Sequence, residues 1–76
     1  MNWREHITAD PKVLVGKPII RGTRLSVEFI LGLVAQGWPE QEIIRNYQVT
    51  EDQVRACAAY AQDRLTEERV YALAGV

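Results

Sequence analysis

Cys57 is the only cysteine and His6 the only histidine in a chain of 76 residues, so neither a disulfide nor a His/Cys metal cluster can staple the fold together. A chain this small must close a core by packing alone. At 8.7 kDa, the scaling of surface with mass buries roughly 63% of the unfolded chain's surface, enough for one small core. The sequence therefore predicts a single domain over residues 1–76, with self-association as the remaining source of stability. Apolar residues make up 47% of the chain and charged residues 25%, a balance that excludes disordered, collagen-like and low-complexity chains. The longest apolar run, Phe29 to Ala35, falls far short of the ~20 residues of a membrane span. The N-terminus carries no apolar targeting segment either, and the expectation is a cytoplasmic protein without membrane association.

Residues 1–25 show no helical period. Two short β-branched runs, Val13-Leu14-Val15 and Ile19-Ile20, flank Gly16-Lys17-Pro18; this pattern predicts a strand, a tight turn and a second strand, followed by a turn at Gly22-Thr23. Pro18 lacks an amide hydrogen and belongs at the start of the second run or on an edge. From Ser26 the period changes. Val27, Ile30, Leu31 and Val34 follow the helical template, Ser26 is the N-cap and Gly37 the stop, which predicts a helix over 27–36. Gly32 inside it predicts close approach of another backbone. Pro39 opens a short second helix over 39–46, with Ile43 and Ile44 inward. The third helix is the most strongly marked: Thr50 and Gln53 form a capping box, and Val49 and Val54 a hydrophobic staple around it. Its apolar stripe is Val54, Cys57, Ala58, Ala61 and Leu65, and a break is expected near Thr66 because Val70 and Leu73 leave that stripe. The boundaries are then a β segment at about 7–25, a helical core at about 26–65 and a helical extension at 66–76.

A short helix, a turn and a sharply capped longer helix have the layout of a helix-turn-helix unit. Counted from Glu40, its customary apolar positions are filled by Ile43, Tyr47, Val49, Val54 and Cys57. A tri-helical core that touches no DNA would show the same pattern. The turn position usually held by glycine is Gln48, and the exposed start of the third helix is Glu51 and Asp52, which repel phosphates; beside them Gln53 and Arg55 are the residues able to approach bases. Net charge is -1 but unevenly spread: residues 1–27 carry five cations against two carboxylates, and residues 28–76 four arginines against eight. Contact with a polyanion would fall to the N-terminal third.

The stretch Asp10-Pro11 through Gly16-Lys17-Pro18 to Arg21-Gly22-Thr23-Arg24 resembles the opening signature of a small prokaryotic family, domain of unknown function 433. Gly37, Glu42-Ile43, Tyr47, Thr50 and Tyr60-Ala61 fit the remainder, so that the resemblance spans about residues 7–62. It implies a mainly α, homeodomain-like helix-turn-helix fold with a short N-terminal two-stranded β segment, usually dimeric. Some members of that family are antitoxins encoded beside a toxin of the PIN nuclease type and many have no established function; an antitoxin-like role is the expectation the resemblance offers for this chain. The chain departs from the family at Pro39, where a capping Ser or Thr is common.

Gly16 and Gly22 set two turns that bring Lys17, Arg21 and Arg24 to one end of the strands, and arginine can clamp a phosphate or carboxylate bidentately. With Thr23 in the second turn, these are candidates for an anion-contact loop; alternatively Arg21 or Arg24 ties the β segment to Asp10 or to helix ends. Val15-Gly16-Lys17-Pro18 lacks the residues of a phosphate-cradling loop. His6 has no second ligand, Cys57 lies on the buried stripe, and Trp38 and Tyr60 read as core or dimer contacts, so no catalytic set, metal, cofactor or small-molecule substrate is expected. The reading is a non-enzymatic, homodimeric, antitoxin-like regulator that binds a PIN-type nuclease and operator DNA, through Lys17, Arg21, Thr23, Arg24, Gln53 and Arg55. The alternative is a protein-interaction module without DNA binding.

Overall fold

The computed structural model describes the backbone of residues 1–74 and the side chains of residues 1–67. Two strands, β1 (Ile7–Ala9) and β2 (Pro18–Ile20), precede three helices, α1 (Val27–Ala35), α2 (Glu40–Tyr47) and α3 (Glu51–Ala74). The strands pair antiparallel, with Ile7 opposite Ile20, Thr8 opposite Ile19 and Ala9 opposite Pro18. The cross-strand pair Ile7 and Ile20 is buried against the helices in one core with Val27, Ile30, Leu33, Ile43, Val49, Val54, Ala56 and Cys57. Pro18 opens β2, where its missing amide hydrogen costs least. The far edge of β2 is closed by a bridge from Ile19 to Ser26.

The first strand is not the one expected. Val13-Leu14-Val15 does not extend, because Asp10 folds the chain back immediately after β1: its side chain accepts from the Lys12 amide at 2.9 Å and its carbonyl from the Val13 amide at 2.9 Å. Leu14 and Val15 then take left-handed conformations, at φ 49° and 56°, inside a 3-10 turn over Leu14–Gly16. A strand cannot continue through such torsions. The pairing partner of β2 is instead Ile7–Ala9.

The helical starts follow their caps. Ser26 accepts from the Phe29 amide at 2.9 Å, and Gly37 ends α1 at φ 92°. Pro39 stands one residue outside α2, extended at ψ 145°. Gln48 ends α2 at φ 57°, taking the left-handed position that glycine often fills. Thr50 and Gln53 exchange both bonds of the capping box, at 2.8 and 3.1 Å, and Val49 and Val54 are buried beside them.

Four expectations about helix interiors are corrected, the first at Val34, which is 48% exposed while Leu33 is buried in its place on α1. No backbone approaches Gly32; a Cβ there would meet nothing within 4 Å. Nor does α3 break near Thr66, since it runs on to Ala74. Its stretch beyond Leu65 has no Gly or Pro before Gly75, Thr66 bonds back to the Gln62 carbonyl at 2.8 Å instead of capping a new start, and Arg64 pairs with Glu67 at 3.8 Å. A drifting apolar stripe removes packing and leaves the backbone ladder intact. Ala56 joins the core, while Ala58 and Leu65 of the expected stripe are exposed. The side chains of Val70 and Leu73, and residues 75–76, lie outside the described residues.

Candidate functional site

The Arg21–Arg24 turn is built by Thr23. Its hydroxyl donates to the Ile20 carbonyl at 2.8 Å and accepts from the Leu25 amide at 3.0 Å, and its own amide closes the turn onto Ile20. Thr23 is therefore spent on the turn, which leads the chain from β2 into α1 and sets where Arg21 and Arg24 emerge. Arg21 reaches back to the N-terminus, donating to the Arg4 carbonyl at 3.1 Å. That is an internal tie, made to backbone instead of to Asp10 or a helix end. Lys17 pairs with Glu28 at 3.6 Å across an exposed surface, an interaction weakened by solvent screening. Arg24 is exposed and, among the described residues, makes no ion pair or side-chain hydrogen bond.

Lys17 and Arg24 share one open groove of about 720 Å³ between the Leu14–Gly16 turn and α1. Leu14 and Val15 form one wall, Phe29 and Tyr47 another, and Gly32 opens onto it. The two aromatic rings meet edge to face with centroids 5.2 Å apart, a preferred aromatic geometry. Val15 is 95% exposed and Phe29 41%. The structure thus brings together two of the four candidates from the N-terminal third, sends Arg21 elsewhere and makes Thr23 their scaffold.

Gln53 and Arg55 stand apart, at the start of α3. Gln53 caps the Thr50 amide, and Arg55 pairs with Glu51 one turn earlier at 2.8 Å. Glu51 and Asp52 lie where the positive end of the helix dipole favours carboxylates. Each of these polar groups has a local structural task.

Cys57 is fully buried, and desolvation raises its thiol pKa from 9.0 to about 11; at neutral pH it is a protonated core residue, unsuited to nucleophilic work. No group of three or more His, Cys, Asp or Glu able to hold a metal occurs among the described residues. No helix among them is long and apolar enough to cross a membrane.

Sequence reasoning overlooked two things. Trp3 anchors the N-terminus on α3, its indole N–H donating to Asp63 and its ring meeting Tyr60 edge to face at 4.9 Å. The groove itself was overlooked as well, although Phe29 lies off the buried stripe of α1 and Gly32 sits in mid-helix. Those two residues were the available signal.

The model of the family described as protein of unknown function (DUF433) matches residues 7–61. Among solved structures, the chain is similar to a DUF433 member protein from Anabaena variabilis ATCC 29413, with 31% identity and a TM-score of 0.71, over 87% of this chain and 67% of the other. No curated protein matches.

Proposed function

Since the chain belongs to the DUF433 family of proteins of unknown function, we propose its role from its own surface: a non-enzymatic, antitoxin-like regulator that docks an acidic protein partner, a PIN-type nuclease encoded beside it. The observation that carries this reading is Arg24, an exposed arginine with no partner among the described residues, held on a turn that Thr23 braces from both sides. A pre-set turn loses less conformational entropy on docking than a free tail, and a guanidinium suits the carboxylates with which such a nuclease holds its metals.

The regulator acts as a homodimer in this reading. Leu31 of α1 and Ala58, Ala61 and Leu65 of α3 line one shallow hollow, and Leu65, 62% exposed, is a knob able to fill the same hollow of a second copy about a two-fold axis.

Co-expression with the neighbouring nuclease-like reading frame tests the reading. The expected result is a co-purifying complex and relief of the nuclease's toxicity, both weakened by Arg24→Ala with circular dichroism unchanged. Failure of the wild-type chain to bind or protect overturns it.

A second reading, operator binding, is favoured by the three-residue turn between α2 and α3, which suits a helix-turn-helix unit. Gln53 and Arg55 are committed within α3, so DNA contact in this reading falls to the basic N-terminal third, where Lys17 and Arg21 would exchange exposed ties to Glu28 and the Arg4 carbonyl for phosphates, and affinity drops steeply with salt. A gel shift on the upstream DNA should weaken with Lys17→Ala or Arg21→Ala. Loss with Arg55→Ala alone would make α3 the reader instead.

A further inference from the structure

Three features of the groove go beyond what the chain's own core packing requires. Val15 is β-branched, holds φ 56° and ψ 38°, and is 95% exposed; backbone strain is carried to present an apolar side chain to water. Such strain is found where a ligand or partner exploits it. Gly32 weakens α1 relative to alanine, yet no atom of the described chain needs its space. Phe29 leaves the buried stripe of α1 to lean on Tyr47 over the same opening. Around these apolar walls, Lys17 and Arg24 outnumber Glu28, the one carboxylate of the lining, and Glu28 is already paired with Lys17.

We propose that this groove binds an extended peptide segment of a partner protein, with an aliphatic or aromatic side chain seated over Gly32 between Val15 and Phe29 and a neighbouring carboxylate held by Arg24. The inference rests on the partner-docking reading above and deepens it by naming the ligand chemistry. The missing Cβ at Gly32 gives the side chain its room, and the apolar walls supply the burial. Arg24, with its planar fork unengaged, selects the acidic neighbour. In a second copy, Leu65 and Glu67 lie two residues apart on α3 and point to different faces, and Glu67 is paired with Arg64, so the acidic-apolar occupant is assigned to a different protein.

The test uses the full chain as bait for random peptides displayed on phage, followed by fluorescence anisotropy with the enriched peptides synthesised. Enriched peptides are expected to pair a large apolar residue with Asp or Glu. Their affinity should fall about ten-fold or more with Gly32→Leu, which fills the groove, and with Arg24→Glu. Val15→Asp, at a site too exposed to disturb the core, should do the same. Melting temperatures serve as the control, and Gly32→Leu should melt no lower than wild type. The proposal is overturned if no acidic-apolar motif is enriched, or if all three variants bind the peptides as wild type does. It is also overturned if Gly32→Leu converts a wild-type dimer to monomer in sedimentation, since a second copy would then own the groove. If the co-encoded nuclease binds wild type, Gly32→Leu and Val15→Asp equally and is weakened by Arg24→Glu alone, the groove inference fails while the regulator reading stands; if peptides select the groove and the nuclease does not bind, the reverse holds.

Discussion

At the scale of single residues, two side chains have measurable consequences. Cys57 keeps its proton in the folded state up to about pH 11, whereas the unfolded chain releases it from about 9.0. A folded-state pKa raised in this way adds stability below pH 9 that is lost as pH climbs through 11. Denaturant melts of wild type and Cys57→Ala should therefore converge, with the cost of the substitution smaller at about pH 10 than at about pH 8 by on the order of 1 kcal/mol. Val15 offers the opposite experiment, since its conformation opposes its side chain. Asparagine tolerates the left-handed region that valine resists, and at 95% exposure no packing is lost. Val15→Asn should stabilise the fold by about 1 kcal/mol, which thermal circular dichroism reads as about 4–8 °C for a domain of this size.

The elements are positioned by their ends. α3 begins where Thr50 and Gln53 satisfy each other's backbone amides, and Val49 and Val54 bury the same corner into the core. Each of Thr50→Ala and Gln53→Ala should cost about 1 kcal/mol. The double variant should cost less than the two together, because either change already undoes the reciprocal arrangement; denaturant titration of the three variants checks this. The β segment depends on turns in the same way. Asp10 ends β1 by capping its own turn, and Thr23 reverses the chain out of β2. The two strands of three residues each would be marginal alone; here Ile7 and Ile20 give them a helical surface to lie on.

At the scale of the whole molecule, the chain exposes 5534 Å², against about 4,700 Å² for a typical monomer of its mass. The chain therefore carries more exposed surface than its mass alone requires. Part of the excess comes from α3, 24 residues long and about 36 Å from end to end, reaching past a core whose last α3 member is Cys57. Sedimentation equilibrium at about tens of micromolar should find a dimer. Leu65→Glu should yield a monomer of unchanged helicity, since Leu65 supports nothing in its own chain's core. A wild-type monomer under those conditions would remove the α1–α3 hollow as a self-association surface.

The sequence by itself determined what is local. Caps, staples and the onset of helical periodicity at Ser26 act within a few residues, and Ser26, Gly37, Thr50 and Gln53 place their helix ends within one residue of expectation. Buried Ile43 and Cys57 follow from the same short-range pattern. Tertiary structure decided which strand pairs with β2, because Val13-Leu14-Val15 and Ile7-Thr8-Ala9 both have strand-compatible composition and only the Asp10 turn separates them. It decided the fate of the cations as well: Arg21 goes to the Arg4 carbonyl and Lys17 to Glu28, contacts across 17 and 11 positions of sequence that no local pattern encodes. The groove is the clearest case. Its walls come from a strained turn, α1 and α2, and the space over Gly32 exists only once those three are brought together, since a missing Cβ has meaning only relative to what surrounds it.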